Sequence, residues 1–433
     1  MNSTFAQKTI YILVFSKAIQ GKRFSRFSSN PGVGGTQFIS ISLALHLAEA
    51  YPDWQVRLVS NSEVQLENAT QNIKQEIFDE AIDFFKALAL LEDHLQSAII
   101  LGTASFLNGI DPSLLKKFEA RLVCWSHHPF DVGAASLVSK LTPRAVVCVG
   151  TYQFYSNKRL NARVYQIQNI FIAPRYPDTD WRETIDPEKL NIVFLGALVP
   201  AKGFLEVAKA WRGLKDRFPA VRLHVIGSAG TYGLRSDSGL VPTSSDYAQA
   251  ILNFIPEEDI HQGLVIFYGN LGEEKFDIIQ KCDLAILNPT GYTEAFPASP
   301  LECMACGVPV IASDDHGMSD CMRFFPELVL RSPQDIVHRV EWLVADPLRY
   351  LEIQHRAIAI AQWFHLQRAV ILTRWIRLLE AILDSTDTKL DLAPMLPFYG
   401  SRRKLMIRRD IRPRLSVAKR LILSPLKALG VGK

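Results

Sequence analysis

The amino-acid sequence predicts an α/β protein in which two doubly wound parallel sheets face each other across a cleft. Short runs rich in Val, Ile and Leu recur without strict polar alternation, which is typical of parallel strands covered on both faces. Segments with helical periodicity lie between these runs, and this alternation predicts parallel sheets. One proline-rich segment, in which this alternation is interrupted, divides the chain into two halves of similar size.

The predicted strands and helices follow one another along most of the chain. Phe38 and Leu45 mark one face of a helix that is expected to end before Pro52. Trp211 lies in the apolar face of another helix, which is expected to end at Pro219. The runs predicted as strands are 9–15, 56–60, 97–101, 121–125, 145–149, 191–195, 221–226, 264–268, 283–288 and 308–312.

The domain boundary is predicted in the segment 171–189, which contains three prolines and little periodicity. The expected division is an N-terminal acceptor-side domain (1–172), a linker (173–189), a C-terminal nucleotide-sugar-binding domain (190–370), a C-terminal helix (371–400) and a basic tail (401–433). Ligands of open parallel sheets bind at the carboxyl ends of the strands. A site between the two domains is therefore expected.

Composition excludes several classes of protein. The chain has 433 residues, of which 48% are hydrophobic and 21% charged, as in a folded protein of two or three domains. Six cysteines are too few for a disulfide scaffold. No apolar run reaches the roughly 18 residues of a membrane span, and the first apolar run is interpreted as a strand, not a secretion signal. A cytoplasmic location is expected.

Two glycine-containing motifs follow predicted strands. The first, Pro31-Gly-Val-Gly-Gly-Thr36, lets backbone N–H groups approach a ligand, although a turn with Thr36 near a helix cap is an alternative. The second is Gly196-Ala-Leu-Val-Pro-Ala-Lys-Gly203. Lys202 in this motif can act as a point charge on a phosphate, or be a solvated residue before a glycine turn.

The strongest motif is Glu294-Ala-Phe-Pro-Ala-Ser-Pro-Leu-Glu302, between two predicted strands. Its two carboxylates can accept hydrogen bonds from the hydroxyls of a sugar. For Glu302 there is a structural alternative, because Ser299-Pro-Leu-Glu302 matches a capping box with Ser299 as the N-cap. Glu294 has no comparable structural explanation.

Signals for a metal are weak. Asp178-Thr-Asp180 spells a D-x-D motif but lies in the proline-rich linker, and Cys303-x-x-Cys306 has no second C-x-x-C with it. The histidines show neither HxxxH nor HExxH spacing. No metal and no cofactor is therefore predicted.

These motifs resemble those of glycosyltransferase family 4, whose members have the GT-B fold of two Rossmann-like domains. Glu294 and Glu302 match the family's E-x7-E signature inside the block EAFPASPLECMACGVPVIAS. The segment 196–203 resembles its glycine-to-Lys-Gly motif, and the segments that follow it are in the same order. The resemblance covers about residues 9–350 and is most specific from 191 to 320.

The resemblance implies transfer of a sugar from a nucleotide-diphosphate sugar with retention of configuration. No enzymic nucleophile is implied, because catalysis then depends on stabilising the diphosphate leaving group. Lys202 and the helix after Ser299 would stabilise this charge, Glu302 would bind the ribose and Glu294 the donor sugar. His127, in Trp125-Ser-His-His-Pro129, would contact the donor sugar, or be a polar turn residue without a role. The rest of the expected donor site is Gly34, Gly35, Gly196, Phe296 and Pro297.

Three positions depart from the family pattern. Ala197 stands where the family usually has an Arg, so one of two cations expected on the diphosphate is absent; Arg23, Arg26 or Arg235 are candidates to replace it. Ala295 replaces a usual Gly and Asp320 a usual Glu. Because of Ala197, a sugar-nucleotide-binding, non-catalytic partner subunit of the same fold is the alternative function. A phosphorylase or epimerase of this fold ranks lower.

The tail 401–433 differs from the rest of the chain. It contains 11 Lys and Arg and one acidic residue, so the first 400 residues carry a net charge of −6 while the whole chain has +4. Apolar residues recur at helix-like spacing among the cations, which favours an anionic membrane surface over nucleic acid. A basic helix packed on the acidic body, or a solvated tail, is the alternative. The resemblance implies a glycan or lipid-linked acceptor, as in polysaccharide biosynthesis, consistent with a site at the inner membrane face.

Overall fold

The structure is a computed structural model that describes residues 8–91, 98–103, 107, 109–174, 185–232, 239–290, 294–384, 390, 392 and 394–397. The basic tail 401–433, the D-x-D motif and Arg235 lie outside these residues. Most of the predicted linker does as well.

The first half of the chain forms a seven-stranded sheet in which all neighbouring strands are parallel. Its order is β5-β3-β1-β6-β7-β8-β9, and a pair of two-residue strands, β2 and β4, lies beside it. The order reverses between β1 and β6, which is the switch point where ligands bind in doubly wound sheets. The strands are β1 (Thr9–Val14), β2 (Arg23–Phe24), β3 (Gln55–Ser60), β4 (Gln65–Leu66), β5 (Ile73–Ile77), β6 (Ala98–Gly102), β7 (Leu122–Ser126), β8 (Ala145–Cys148) and β9 (Val164–Gln166).

The second half forms a five-stranded parallel sheet of order β12-β11-β10-β13-β14. Its switch point lies between β10 and β13. The strands are β10 (Asn191–Leu195), β11 (Arg222–Ile226), β12 (Val265–Gly269), β13 (Leu284–Leu287) and β14 (Val310–Ala312).

Helices cover both sheets. Those of the first half are α1 (Gly35–Ala50), α2 (Ala81–Leu88), α3 (Pro112–Lys116), α4 (Val132–Leu141) and α5 (Thr151–Asn157). Those that follow β10 are α6 (Phe204–Arg217), α7 (Ser245–Leu252), α8 (Glu257–His261), α9 (Lys275–Ile279), α10 (Ser299–Ala305), α11 (Ser319–Met322), α12 (Ile336–Val344), α13 (Pro347–Leu366) and α14 (Arg368–Leu383). Within the described ranges, none of these helices has the length and apolar character that a membrane crossing requires.

The predicted fold class, two doubly wound parallel sheets, is confirmed. Four strands were not predicted, and two of them, β2 and β4, have only two residues each. β5 has the sequence IKQEI and is buried mainly at Ile73, as befits an edge strand, and β9 has only three residues. The exact domain limits stay a prediction.

Helix α14 joins the two halves, because it follows the second sheet in the chain but packs on the first. The indole of Trp375 meets that of Trp125 edge to face, with ring centroids 4.9 Å apart. The Arg121 guanidinium donates to the carbonyl of Ile382 at 3.0 Å, and Arg374 donates to the carbonyl of Gln166 at 2.8 Å.

Candidate functional site

A cavity of about 600 Å³ lies at the carboxyl ends of strands from both sheets. Its wall includes Ser16, which follows β1, Gly196 after β10 and Gly227 after β11. Both switch points therefore open into one cavity, where ligands of this architecture are expected.

The structure brings together all the site residues that the sequence predicts. The cavity wall contains Gly34, Gly35, His127, Gly196, Lys202, Glu294, Phe296, Pro297, Ser299 and Glu302. These residues come from four separate segments of the chain, so their convergence is a property of the fold. Their individual roles stay predictions.

Lys202 and Glu294 form an ion pair in this wall. The Lys202 ammonium donates to Glu294 Oε1, and the Asn288 amide donates to the same oxygen at 3.2 Å. Asn288 has φ of 35°, a left-handed conformation that Asn tolerates better than most residues. The hydroxyl of Thr290 donates to Asn288 Oδ1 at 3.1 Å. The Glu294 carboxylate is thus held from two sides.

Glu302 forms a second ion pair, with Lys275. The Lys275 Nζ atom donates to Glu302 Oε1 at 2.6 Å, and both residues are buried and line the cavity. The capping-box alternative for Glu302 is wrong. Helix α10 has Ala298, not Ser299, as its N-cap, and no side chain caps it. The Glu302 side chain instead turns to Lys275.

The glycine-rich segment is a ligand-facing turn fixed by Asn30 and by the second half. Asn30 Oδ1 accepts from the N–H groups of Gly32 and Val33 at 3.0 and 2.8 Å. Gly32 has φ of +86°, and a Cβ there would lie 3.0 Å from the carbonyl oxygen of Leu271. Helix α1 begins directly after this turn, with Gly34 as its N-cap.

A second position that only glycine can occupy is Gly227, at the point where β10 and β11 end. Gly227 has φ of +136°, and a Cβ there would lie 2.0 Å from the carbonyl oxygen of Gly196. Any side chain at this position would force the two strand ends apart. Both glycines line the cavity, so the close approach shapes its floor.

Two buried polar atoms in the cavity wall have no hydrogen-bond partner among the described residues. They are Nε2 of His127 and Oδ1 of Asn169. Burial, together with the neighbouring His128, lowers the pKa of His127 to about 3, so its imidazole is neutral near pH 7. Buried polar groups normally have partners, and these atoms are suited to bind a polar ligand.

The replacement for the cation absent at Ala197 is not found at Arg23 or Arg26. Arg23 pairs with Glu67 at 3.7 Å beside β2, and Arg26 pairs with Glu49 of α1. Neither lines the cavity. Lys275, which the sequence analysis missed, does. It directly follows two glutamates, a run that resembles a solvated face. It is also the first residue of α9, the helix that follows β12, and this place in a strand-to-helix connection was the available signal.

No three His, Cys, Asp or Glu side chains come together to form a metal-binding group in the described part of the chain. The six cysteines are buried and unpaired by disulfides. A second cavity, of about 720 Å³, lies in the second half beside Asp314, Asp315 and Arg331. It contains none of the predicted site residues.

Further contacts between the halves lie next to the site. Asp320, fully buried, accepts from the N–H of Thr151 at 2.7 Å and from Arg323 at 3.2 Å. Burial raises the pKa of Asp320, against the opposing effect of these donors. Because Thr151 begins α5, a carboxylate of the second half satisfies a free N–H at this helix start.

Comparison with known proteins shows sequence similarity over part of the chain. Residues 175–362 match the family model described as "Glycosyl transferases group 1". The chain is 26% identical over 186 residues to a D-inositol 3-phosphate glycosyltransferase of Rhodococcus erythropolis. That alignment covers 42% of this chain and 39% of the relative, so the chain matches well under half the length of this curated relative.

Solved structures extend the likeness to both halves. Sucrose-phosphate synthase from Thermosynechococcus elongatus superposes over 88% of this chain and 100% of its own, with a TM-score of 0.61 and 15% identity. HepE from Anabaena, solved with UDP, superposes over 86% of this chain and 100% of its own, with a TM-score of 0.56 and 14% identity. At such identities the likeness concerns the fold, which is the GT-B fold.

Proposed function

We propose that the protein is a retaining glycosyltransferase of family 4 that uses a nucleotide-diphosphate sugar as donor. The observation that carries this proposal is the cavity at the carboxyl ends of strands from both sheets, whose wall contains the Lys202–Glu294 pair, Glu302 and the glycine-rich turn. The family model over the second half and the curated relative's name support it, as does the UDP bound to HepE.

The Lys202 ammonium is the proposed electrostatic group for the donor diphosphate. Its side chain is largely buried, and a charge in such a site acts on a phosphate more strongly than in water. Glu294 pairs with Lys202 and fixes its position. A diphosphate that enters beside this pair gains a cation whose geometry is already set, so little reorganisation accompanies bond breaking.

The two carboxylates are the proposed ligands of hydroxyl groups. Glu294 would bind the donor sugar, and Glu302 the ribose of the nucleotide. Carboxylates are suited to this role because they accept several hydrogen bonds from neighbouring hydroxyls. Backbone N–H groups of Gly34 and Gly35 would approach the diphosphate or the sugar from the first half, since no Cβ intervenes.

The proposed chemistry needs neither an enzymic nucleophile nor a metal ion. The bond between the anomeric carbon and the diphosphate oxygen breaks as the diphosphate departs towards Lys202, and the acceptor oxygen bonds to the same carbon from the same face, which retains the configuration. A phosphate oxygen of the leaving diphosphate takes the proton of the acceptor hydroxyl. Neutral His127 contacts the donor sugar from the first half and can donate or accept one hydrogen bond. A glycan or lipid-linked molecule is the proposed acceptor.

Donor binding and turnover test the proposal. A thermal-shift screen of nucleotide sugars, including UDP-glucose and GDP-mannose, should find one that stabilises the protein, by about 2.7 kcal/mol at 100 times its dissociation constant. Release of nucleotide diphosphate, followed with candidate acceptors and with or without EDTA, then measures transfer. We expect Lys202→Ala and Glu294→Ala each to lower kcat/KM about 100-fold or more, as loss of such electrostatic groups does elsewhere.

Matched controls come from helix α6, where Lys209 and Glu206 form a surface ion pair. Lys209→Ala and Glu206→Ala should leave turnover within about twofold, since exposed pairs contribute little. Wild-type turnover in the Lys202 or Glu294 variant would contradict the site assignment. Tight donor binding without nucleotide release for any acceptor would favour the non-catalytic partner subunit instead.

We also propose that the tail 401–433 binds an anionic membrane surface, on the basis of its 11 cations and one acid. Each cation near such a surface contributes about 1 kcal/mol. Full-length protein should therefore sediment with vesicles containing phosphatidylserine and be released by salt, whereas a chain ending at Gly400 should stay in solution. Equal sedimentation of both chains would refute the tail's role.

A further inference from the structure

The structure assigns to Lys275 the role of a positioning residue: it holds Glu302 in the orientation that recognises the ribose hydroxyls of the nucleotide. This inference rests on the proposed function, because it takes the cavity to be a nucleotide-sugar site. It concerns a residue of this chain that the sequence motifs do not single out. Lys275 acts here through Glu302 and not on the reacting atoms.

The contact that carries the inference is short and buried. Nζ of Lys275 lies 2.6 Å from Oε1 of Glu302, with Lys275 4% and Glu302 9% exposed. Such a pair is screened far less than one at the surface. Both residues nevertheless line the cavity, so the pair faces the ligand space.

The geometry leaves part of the Glu302 carboxylate for a ligand. An ionised carboxylate has about four acceptor sites on its two oxygens. Lys275 occupies one of them on Oε1, and acceptor sites remain for the two hydroxyls of a ribose. By fixing one oxygen, Lys275 sets the direction of the other. Without this contact the carboxylate would be a buried charge without its counter-charge, free to rotate or to take another partner.

Lys275 is itself placed by a loop that spans the cleft. The loop between β12 and α9 packs against the glycine-rich turn: Glu273 Oε1 accepts from the N–H of Ser29 at 2.8 Å and from its hydroxyl at 3.2 Å. A Cβ on Gly272 would lie 3.4 Å from the backbone of Pro31. The residues just before Lys275 are thus held by contacts with the first half, and these contacts help to place Lys275 beside Glu302.

The two lysine–glutamate pairs in the cavity wall are proposed to serve different parts of the donor. Lys202 pairs with Glu294, beside the proposed sugar, and Lys275 pairs with Glu302, beside the proposed ribose. In each pair the lysine contacts one oxygen of the carboxylate and so limits the rotamers that the glutamate can adopt. The prediction that follows is specific: loss of Lys275 should weaken recognition of the ribose hydroxyls in particular.

The experiment compares a ribonucleotide with its deoxy analogue. The affinities of UDP and 2′,3′-dideoxy-UDP, and of GDP and its dideoxy analogue, are measured by calorimetry on the full chain. Wild type should prefer the ribonucleotide about tenfold or more, as expected when a carboxylate accepts from the missing hydroxyls. Lys275→Met should reduce this preference to about threefold or less, and Lys275→Arg should restore most of it.

A double variant separates positioning from a general structural effect. If Lys275 acts through Glu302, Glu302→Gln should lower the preference in the wild type but change it little in the Lys275→Met background. Lys209→Met, which breaks the surface pair on α6, is the matched control and should keep the wild-type preference. Thermal unfolding reports whether each variant is folded, and the charge-keeping Lys275→Arg provides the comparison if Lys275→Met is unstable.

The outcomes are distinguishable from a failure of the proposed function. If wild type binds neither nucleotide, the proposed function is wrong, and this inference with it. If wild type discriminates and Lys275→Met discriminates equally, only the inference is wrong. If Lys275→Met loses affinity for UDP and its dideoxy analogue by the same factor, Lys275 serves the diphosphate and the positioning role is refuted.

Discussion

Charged side chains in the interior of this protein are held by partners of opposite charge or by hydrogen bonds. Glu302 has Lys275, and Asp259 accepts from both Trp211 and Lys215 at 2.7 Å. Burying an ionised group without such a partner costs so much that the group usually changes its protonation state instead. His46 shows this second behaviour.

His46 is 4% exposed in helix α1, and its Nδ1 atom lies 2.8 Å from the carbonyl oxygen of Ser42. Burial lowers the pKa of His46 to about 4; Arg368 and Arg26 lower it as well, and the Ser42 contact opposes them. In the unfolded chain the pKa is near 6.5. Between these values the unfolded chain binds a proton that the folded chain does not, so stability falls as pH falls from 6.5 towards 4.

We therefore expect His46 to remove about 2 kcal/mol from the free energy of unfolding between pH 7 and pH 5. Urea unfolding at both pH values should show a smaller loss for His46→Gln, which cannot titrate. The difference between the two proteins is the relevant quantity, because burial lowers the pKa of His127 and His224 too. Equal losses in wild type and variant would mean that His46 titrates normally in the fold.

Among the elements, α14 has a role that its sequence position does not suggest. It follows the second sheet but packs its apolar face on the first, where Trp375, 1% exposed, meets Trp125. The hydrogen bonds of Arg121 and Arg374 fix the helix along its length. The C-terminal helix therefore ties the two halves together behind the cavity.

Trp375→Ala should accordingly cost about 3–5 kcal/mol of stability, as expected for a large aromatic residue removed from a packed core. Leu366→Ala is the control, since Leu366 lies at the end of the preceding helix and is 72% exposed. This control should change stability by about 0.5 kcal/mol or less. The midpoint of urea unfolding measures both. A Trp375 variant as stable as the control would show that the helix is not a structural tie.

The strands and helices that the sequence predicts well are those in which burial sets the pattern of apolar residues. Central strands such as β10 and β13 are continuous apolar runs, and α6 has a clear apolar face, so both kinds appear in the sequence. β5 lies at the edge of its sheet, where its side chains are more exposed, and three of its five residues are polar. The strand therefore has no continuous apolar run that could be recognised in the sequence.

Within the site, too, only features that depend on local sequence could be predicted. Motif residues such as Lys202 and Glu294 could be placed by their position after strands, whereas partner choice could not. Glu302 fits a capping box in sequence, yet its side chain pairs with Lys275, 27 positions away in the chain. Such a contact depends on how α9 and α10 are arranged in space, and no local spacing encodes it. For this reason the pairing of Lys275 with Glu302 was not predicted.

At the scale of the whole molecule, we expect the geometry of the cavity to depend on how closely the two halves approach each other. Gly150, at the start of α5 in the first half, touches the backbone of Ala295 in the second half. Its φ is −119°, which any residue can adopt, so a side chain there is excluded by space alone. Ala295 directly follows Glu294. A displacement of this contact would therefore move Glu294, the residue proposed to bind the donor sugar.

Gly150→Ala tests this dependence, because a Cβ at this position would lie 1.8 Å from the carbonyl oxygen of Ala295 and 3.3 Å from Asp320 Oδ2. The two backbone segments must separate by about 1.7 Å in total to reach an ordinary contact distance of about 3.5 Å. We expect turnover to fall at least about 10-fold, as misplacement of this size does in other enzymes. The control is Gly133→Ala in α4, where the nearest atom, Asp131 Oδ1, is 3.4 Å away and the substitution fits.

Steady-state nucleotide release should separate the two variants, while thermal unfolding should show a lower midpoint for Gly150→Ala. If both variants keep wild-type turnover, the halves can separate at Gly150 without disturbing Glu294, and the site does not depend on this contact.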